Sequence, residues 1–185
     1  MRKLIYAINL TLDGCCDHTK ASAYEDIYEY YIHLMRDVDL LVYGRKTYQL
    51  MVPFWPDIAK NQSGQTSAMN EFAQAFASND IVVCSQSLDR AAGENTRIVR
   101  SNLQDEILKL KEAPGKNILT GGLSVPSQLI ELDLVDEFSF VIQPIVVGEG
   151  RRLLEDVRLP QTLQLNLIDS KTFKSGCVAL RYLKH

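Results

Sequence analysis

Residues 117–132 read "NILTGGLSVPSQLIEL", and their order decides the fold. An apolar, strand-like run stops at two consecutive glycines, Gly121 and Gly122, and resumes with helical spacing. A strand needs side chains to pack. Paired glycines at its end therefore mark a place where the backbone turns sharply or is approached closely by another group. Strand, glycine turn and helix together form half of a β-α-β unit.

The same alternation extends to the N-terminal side. "KLIYAINLTL" (3–12) reads as a buried strand ending at the Asp13-Gly14 turn signal. "SAYEDIYEYYIHLMRDV" (22–38) places Ala23, Ile27, Tyr30, Tyr31, Leu34 and Val38 at helical spacing, with Ser22 or Thr19 as the expected cap. "DLLVYG" is a second short strand, "RKTYQLM" a short helix broken by the prolines of "VPFWPDIA", and "KNQSGQTSA" a polar loop before the helix "MNEFAQAFAS". "DIVVCS" and "RIVR" read as strands, "NLQDEILKLKEA" as a helix and "KNILT" as the strand before the glycines. Strands alternating with helices predict an α/β fold, its sheet mostly parallel and covered on both faces. The last third differs. "LQLNLIDSKTF" and "CVALRYLK" have no helix between them and are joined by the turn residues "FKSG", which predicts a closing antiparallel hairpin.

Composition excludes several classes of function. The chain of 185 residues has 46% hydrophobic and 23% charged residues and a net charge of -3, as ordinary globular domains do. No cluster of lysines and arginines supplies the phosphate-neutralising face that nucleic acid requires, so no nucleic-acid partner is expected. The early apolar run is interrupted by Asn9 and Asp13 before any cleavage-site pattern, and no membrane-length apolar stretch follows. A cytoplasmic location and no membrane partner are expected. Cys15, Cys16, Cys84 and Cys177 lack C-x-x-C spacing and read as unpaired thiols. His18, His33 and His185 stand too far apart for a metal site, so none is expected.

Three expected strand ends carry unusual residues: "GRKT" at 44–47, "SQS" at 85–87 and "TGGLS" at 120–124. In open α/β sheets, ligands settle outside the carboxyl ends of the strands. The glycines offer unblocked N–H groups just before the start of a helix, where phosphate is favoured. Arg45 and Lys46 add cations, and Thr47, Ser85 and Ser87 add hydroxyls. A dinucleotide would use all of these, and the extra cation favours NADP over NAD. The spacing matches neither G-x-G-x-x-G nor the P-loop pattern.

"TLDG", "GRKTY", "WP", "TGG" and "LVDEFSFVIQPIVVGEGRRLLE", in that order along the chain, resemble the dihydrofolate reductase-like superfamily, in particular the reductase domain of bifunctional riboflavin biosynthesis enzymes. The resemblance implies a single three-layer domain over residues 1–185, NADPH as hydride donor, a small pteridine-like or pyrimidine-like substrate, and a homodimer built near the final hairpin. Carried onto this chain, it implies that Gly44, Arg45, Lys46 and Thr47 face the pyrophosphate and 2'-phosphate. Ser85 and Gln86 would then lie near the adenosine, and Gly121, Gly122, Leu123 and Ser124 along the diphosphate and nicotinamide ribose. Asn9, Tyr48, Met51 and Trp55 would line the substrate cleft. Thr120 replaces the acidic residue that the riboflavin-pathway enzymes usually carry before the glycines. Hydride transfer also needs a proton for the developing anion, and Asp17 and His18 in the first loop are the candidates. Asp13 reads as the turn residue beside Gly14. Two other readings are a true dihydrofolate reductase and an NADP-binding protein without turnover.

Overall fold

The computed structural model describes residues 1–185 apart from Ala23, Glu94, Asp156, Pro160 and Gln161. The expected helical position of Ala23 therefore lies outside the described residues. The alternation seen in sequence becomes β1 (Leu4–Thr11), α1 (Glu25–Met35), β2 (Val38–Gly44), α2 (Arg45–Met51), α3 (Trp55–Asn61), α4 (Ser67–Ala77), β3 (Asp80–Cys84) and β4 (Thr96–Val99). It continues with α5 (Leu103–Glu112), β5 (Asn117–Thr120), α6 (Ser124–Glu131), β6 (Glu137–Gln143), β7 (Leu165–Thr172) and β8 (Val178–Lys184).

The eight strands form one sheet in the order β4-β3-β2-β5-β1-β6-β8-β7. The first six in that order run parallel, while β8 is antiparallel to both β6 and β7. Their shared direction brings the C-terminal ends of β1, β2, β3, β5 and β6 to one rim.

Side-chain alternation along β1 assigns the two layers. Leu4 and Tyr6 pack with Ile107, Val125 and Leu129 of α5 and α6. Ile5 and Ala7 pack on the other face with Leu34 of α1, Tyr48 of α2, and Phe72 and Phe76 of α4. The sheet is therefore sandwiched between helices, which gives the expected three layers.

Several local expectations change. The first helix starts at Glu25 behind an extended Tyr24 with no side-chain cap. Ser22 instead donates its backbone N–H to the Gln143 side chain at 3.0 Å. Val38 begins β2 instead of ending the helix. The prolines do not leave residues 52–59 without a helix, because Pro56 falls in the first turn of α3, where its missing N–H costs no hydrogen bond. Lys60 and Asn61, read as loop, belong to the same helix. β6 ends before Pro144, since proline cannot donate to the ladder.

Candidate active site

The question raised by the glycine pair has a structural answer. Gly122 has φ +83°, a conformation that L side chains rarely adopt, and a Cβ there would lie 2.1 Å from Thr47 Oγ1. The group that approaches this backbone is thus Thr47 of α2. Two strand ends far apart in sequence, "GRKT" and "TGG", meet at this contact. Tyr6, buried on β1, secures the turn from beneath, its hydroxyl donating to the Gly122 carbonyl at 2.9 Å. Gly44 also has a packing role, since a Cβ there would meet Val125 Cγ2 of α6 at 3.1 Å.

Both helices that start at this contact are open at their N-termini. Neither α2 nor α6 has a side-chain cap or an acidic residue in its first turn, whereas α4 and α5 are capped by Thr66 and Asn102. The first-turn N–H groups of α2 and α6 retain their partial positive charge. Arg45 and Lys46 are exposed, and neither side chain is engaged in an ion pair among the described residues. Leu123 and Ser124 continue the rim into α6. Thr120 takes no part in it. Its side chain is fully buried and donates to the Val42 carbonyl at 2.8 Å, so it is a cross-strand tie between β5 and β2.

Ser85 and Gln86 lie at the end of β3 and organise their own loop. Ser85 Oγ accepts from the N–H groups of Ser87 and Leu88 at 3.2 and 3.1 Å, and Gln86 Nε2 donates to the Arg100 carbonyl at 2.7 Å.

The residues expected to line a substrate cleft divide in two. Asn9 lies on the helix α1 side of β1, and its side-chain oxygen accepts from the Tyr31 hydroxyl at 2.9 Å. Burial, reinforced by the hydroxyls of Tyr30, Tyr43 and Tyr6, pushes the Tyr31 phenol far above its ordinary range and keeps it a neutral donor. Met51 and Trp55 are half-buried against the same layer. Trp55 stands edge-on to Phe72 and Tyr28, with ring centroids 4.6 and 5.9 Å away. Tyr48 is different. It is buried, and its hydroxyl both donates to the Ala92 carbonyl at 2.7 Å and accepts the Ala92 N–H at 2.6 Å. Tyr48 therefore anchors the loop after β3, its hydroxyl proton committed to Ala92. Helical spacing marked Tyr31 only as core, and nothing in the sequence pointed to its bond with Asn9 or to the packing of Tyr28 on Trp55.

Of the two expected proton donors, Asp17 is poorly suited to that role. Thr19 donates its N–H and its hydroxyl to Asp17 Oδ1 at 2.9 and 2.8 Å, and these bonds hold the carboxyl below its usual range. A general acid at neutral pH needs the opposite shift. His18 is exposed, its Nδ1 4.0 Å from Asp17 Oδ1. Asp13 has the turn role expected of it. Its carboxylate accepts from Thr11 Oγ1 at 2.6 Å, Gly148 N at 2.9 Å and Val147 N at 3.3 Å. Those bonds lower its pKa, the Thr11 hydroxyl contributing most. Glu149 pairs with Lys20 at 2.7 Å, a second tie between the same two loops. The four cysteines are free thiols, and among the described residues no helix is long and apolar enough to cross a membrane.

The strand order, the final antiparallel pair and the glycine rim define a dihydrofolate reductase-like α/β fold. The chain belongs to the RibD C-terminal domain family, whose sequence model matches residues 2–179. Among individual proteins, it is 32% identical to YyaP of Bacillus subtilis (strain 168) over 98% of this chain and 94% of that one. Two solved structures show the same fold. The diaminohydroxyphosphoribosylaminopyrimidine deaminase/5-amino-6-(5-phosphoribosylamino)uracil reductase of Thermotoga maritima superimposes with a TM-score of 0.67 at 17% identity, over 100% of this chain and 57% of that one. A dihydrofolate reductase of Enterococcus faecalis, complexed with NADP(H), superimposes with a TM-score of 0.66 at 13% identity, over 99% and 96% of the two chains.

Proposed function

We propose that the protein is an NADPH-dependent reductase of a small heterocycle, pteridine-like or pyrimidine-like, acting on a C=N or C=O bond. One observation carries the reading: the Thr47–Gly122 contact joins two uncapped, acid-free helix N-termini beside two exposed cations, Arg45 and Lys46, that form no ion pair among the described residues. That arrangement suits a diphosphate and a further phosphate monoester. In this reading Gly44, Arg45, Lys46 and Thr47 hold one part of the dinucleotide, and Gly121, Gly122, Leu123 and Ser124 hold another. Ser85 and Gln86 border the adenosine. NADPH, when bound, supplies the hydride. The residues where α2 and α6 begin would hold it at the rim of the sheet.

The test compares dinucleotides. NADPH is expected to bind more tightly than NADH, and Arg45→Ala is expected to remove about 1.5–3 kcal/mol of the NADPH affinity, the scale of a charged hydrogen bond. Calorimetric titration reads both. Equal affinities in the unmodified protein would refute the assignment.

Dinucleotide binding without turnover is a second reading. It is favoured by the engagement of Asp17 with Thr19, which holds the Asp17 carboxyl in its ionised form. NADPH oxidation in the presence of candidate heterocycles separates the two readings. We also propose that the protein is cytoplasmic, forms a single domain and works as a homodimer.

A further inference from the structure

This inference rests on the homodimer proposed above and concerns how two copies meet. β7 lies at the edge of the sheet, paired with β8 on one side and, among the described residues, with no strand on the other. All of its residues after Leu165 are exposed. Beyond the register shift between Leu167 and Asp169, the strand runs regularly from Asp169 to Thr172, opposite Arg181 to Val178 of β8. An open, regular edge favours pairing with another strand. The opposite edge, β4, has four residues, and its one charge, Arg97, is paired with Glu106 at 2.6 Å.

Two charges stand two residues apart in the regular run of β7. Asp169 and Lys171 lie opposite Arg181 and Ala179, and Ala179 packs with Ile27 and Tyr30 of α1. Both side chains therefore project to the α1 side of the sheet. Neither forms an ion pair among the described residues, and Lys171 Nζ rests 5.1 Å from the centroid of the Phe173 ring. The backbone fixes which groups face outward. Phe173 N donates toward β8, to the Cys177 carbonyl at 2.9 Å. Successive residues of a strand turn their backbone groups to opposite edges. Asp169 and Lys171 thus bond toward β8, while the N–H and C=O of Ser170 and Thr172 point outward.

Symmetry limits how a second copy can add to this edge. Two identical edges pair about a two-fold axis normal to the sheet, which makes the strands antiparallel and keeps each face on its own side. Opposed residues share a face, so one residue sits at the axis opposite itself. Centring on Asp169 or on Lys171 sets like charges against each other in a non-hydrogen-bonded pair, where side chains stand closest and repel. Centring on Ile168 puts the register shift on the axis. Centring on Ser170 opposes each Asp169 to a Lys171 and lets the two copies of Ser170 exchange their outward backbone hydrogen bonds.

We infer that two copies join edge to edge along β7 about Ser170, Asp169 of each facing Lys171 of the other, in one continuous sheet. β7 runs in the direction of β1, so the antiparallel junction places the two rims where α2 and α6 begin at opposite ends of the joined sheet. Each rim is then built by one chain alone.

The test is sedimentation of the full chain at micromolar concentration. The unmodified protein is expected to dimerise. Asp169→Lys and Lys171→Asp each leave a single sign of charge on the run and are expected to weaken the dimer by about tenfold or more. An equimolar mixture of the two variants opposes lysines on one strand to aspartates on the other. It is expected to recover the dimer, identified as the mixed species by native mass spectrometry. The double variant Asp169→Lys/Lys171→Asp keeps the complementarity within one chain and is expected to dimerise by itself. Thermal unfolding verifies the fold of each variant, and NADPH affinity is expected to be unchanged throughout. Single variants as dimeric as the unmodified protein, or a mixture that stays monomeric, overturn this register while the homodimer stands. A monomeric unmodified protein removes the homodimer and this inference together.

Discussion

At the scale of single residues, Gly122 is held by two constraints that do not involve a ligand. Its φ of +83° costs an L residue roughly 1–2 kcal/mol, and a Cβ would overlap Thr47 Oγ1. Any side chain at Gly122 therefore acts first on stability, and a loss of dinucleotide binding in such a variant would not by itself identify a phosphate site. Gly122→Ala is expected to lower the free energy of unfolding by more than about 1 kcal/mol in urea titration without cofactor. Adding Thr47→Ala removes the hydroxyl, leaving Thr47 Cβ as the nearest remaining atom at 3.3 Å. The double variant is expected to regain part of the loss and not all of it. A single variant as stable as the unmodified protein would contradict this geometry.

At the scale of elements, the loop after β1 and the loop after β6 are clasped together. Leu12 N donates to the Ile145 carbonyl at 2.9 Å and Cys16 N to the Arg151 carbonyl at 2.8 Å, and Leu153 N returns to Gly14 at 3.2 Å. Asp13 is the centre of this clasp, and its charge makes the clasp dependent on pH. Its pKa is lowered in the folded protein, so folding favours the ionised form. The stabilisation is fully present above the unfolded aspartate value, about 3.9. It is lost as pH falls below that value through the lower folded one. Asp13→Asn is expected to reduce the urea midpoint at pH 7, and its difference from the unmodified protein is expected to shrink steadily below about pH 3.9. A difference that stays constant across that range would assign Asp13 a role independent of charge.

For the whole molecule, the sheet has two edges, and the one near the C-terminus is β7. The apolar β8 lies inside the sheet between β6 and β7. β7 is the edge, with Leu167 and Ile168 55% and 44% exposed beside a register shift between Leu167 and Asp169. Exposed apolar residues on an unpaired edge favour self-association, which supports the proposed homodimer. Sedimentation at micromolar concentration is expected to show a dimer that Leu167→Lys shifts toward monomer. A strictly monomeric unmodified protein would end that proposal.

The sequence by itself determined the order of the elements apart from α3, the antiparallel close and the shared rim of three strand ends, because hydrophobic period and glycine placement act over a few residues and do not depend on distant partners. It also marked Gly121, Gly122 and Arg45 as residues to follow, and the family resemblance added Asn9. Tertiary structure alone decided that Thr47 fills the space beside Gly122, that Tyr48 is tied to Ala92, that Tyr31 orients Asn9, and that β7 is the edge. Each of these depends on contacts between residues far apart in the chain. Side-chain hydrogen bonds carry no periodic trace in the sequence, and strand order in a sheet follows from how whole layers pack.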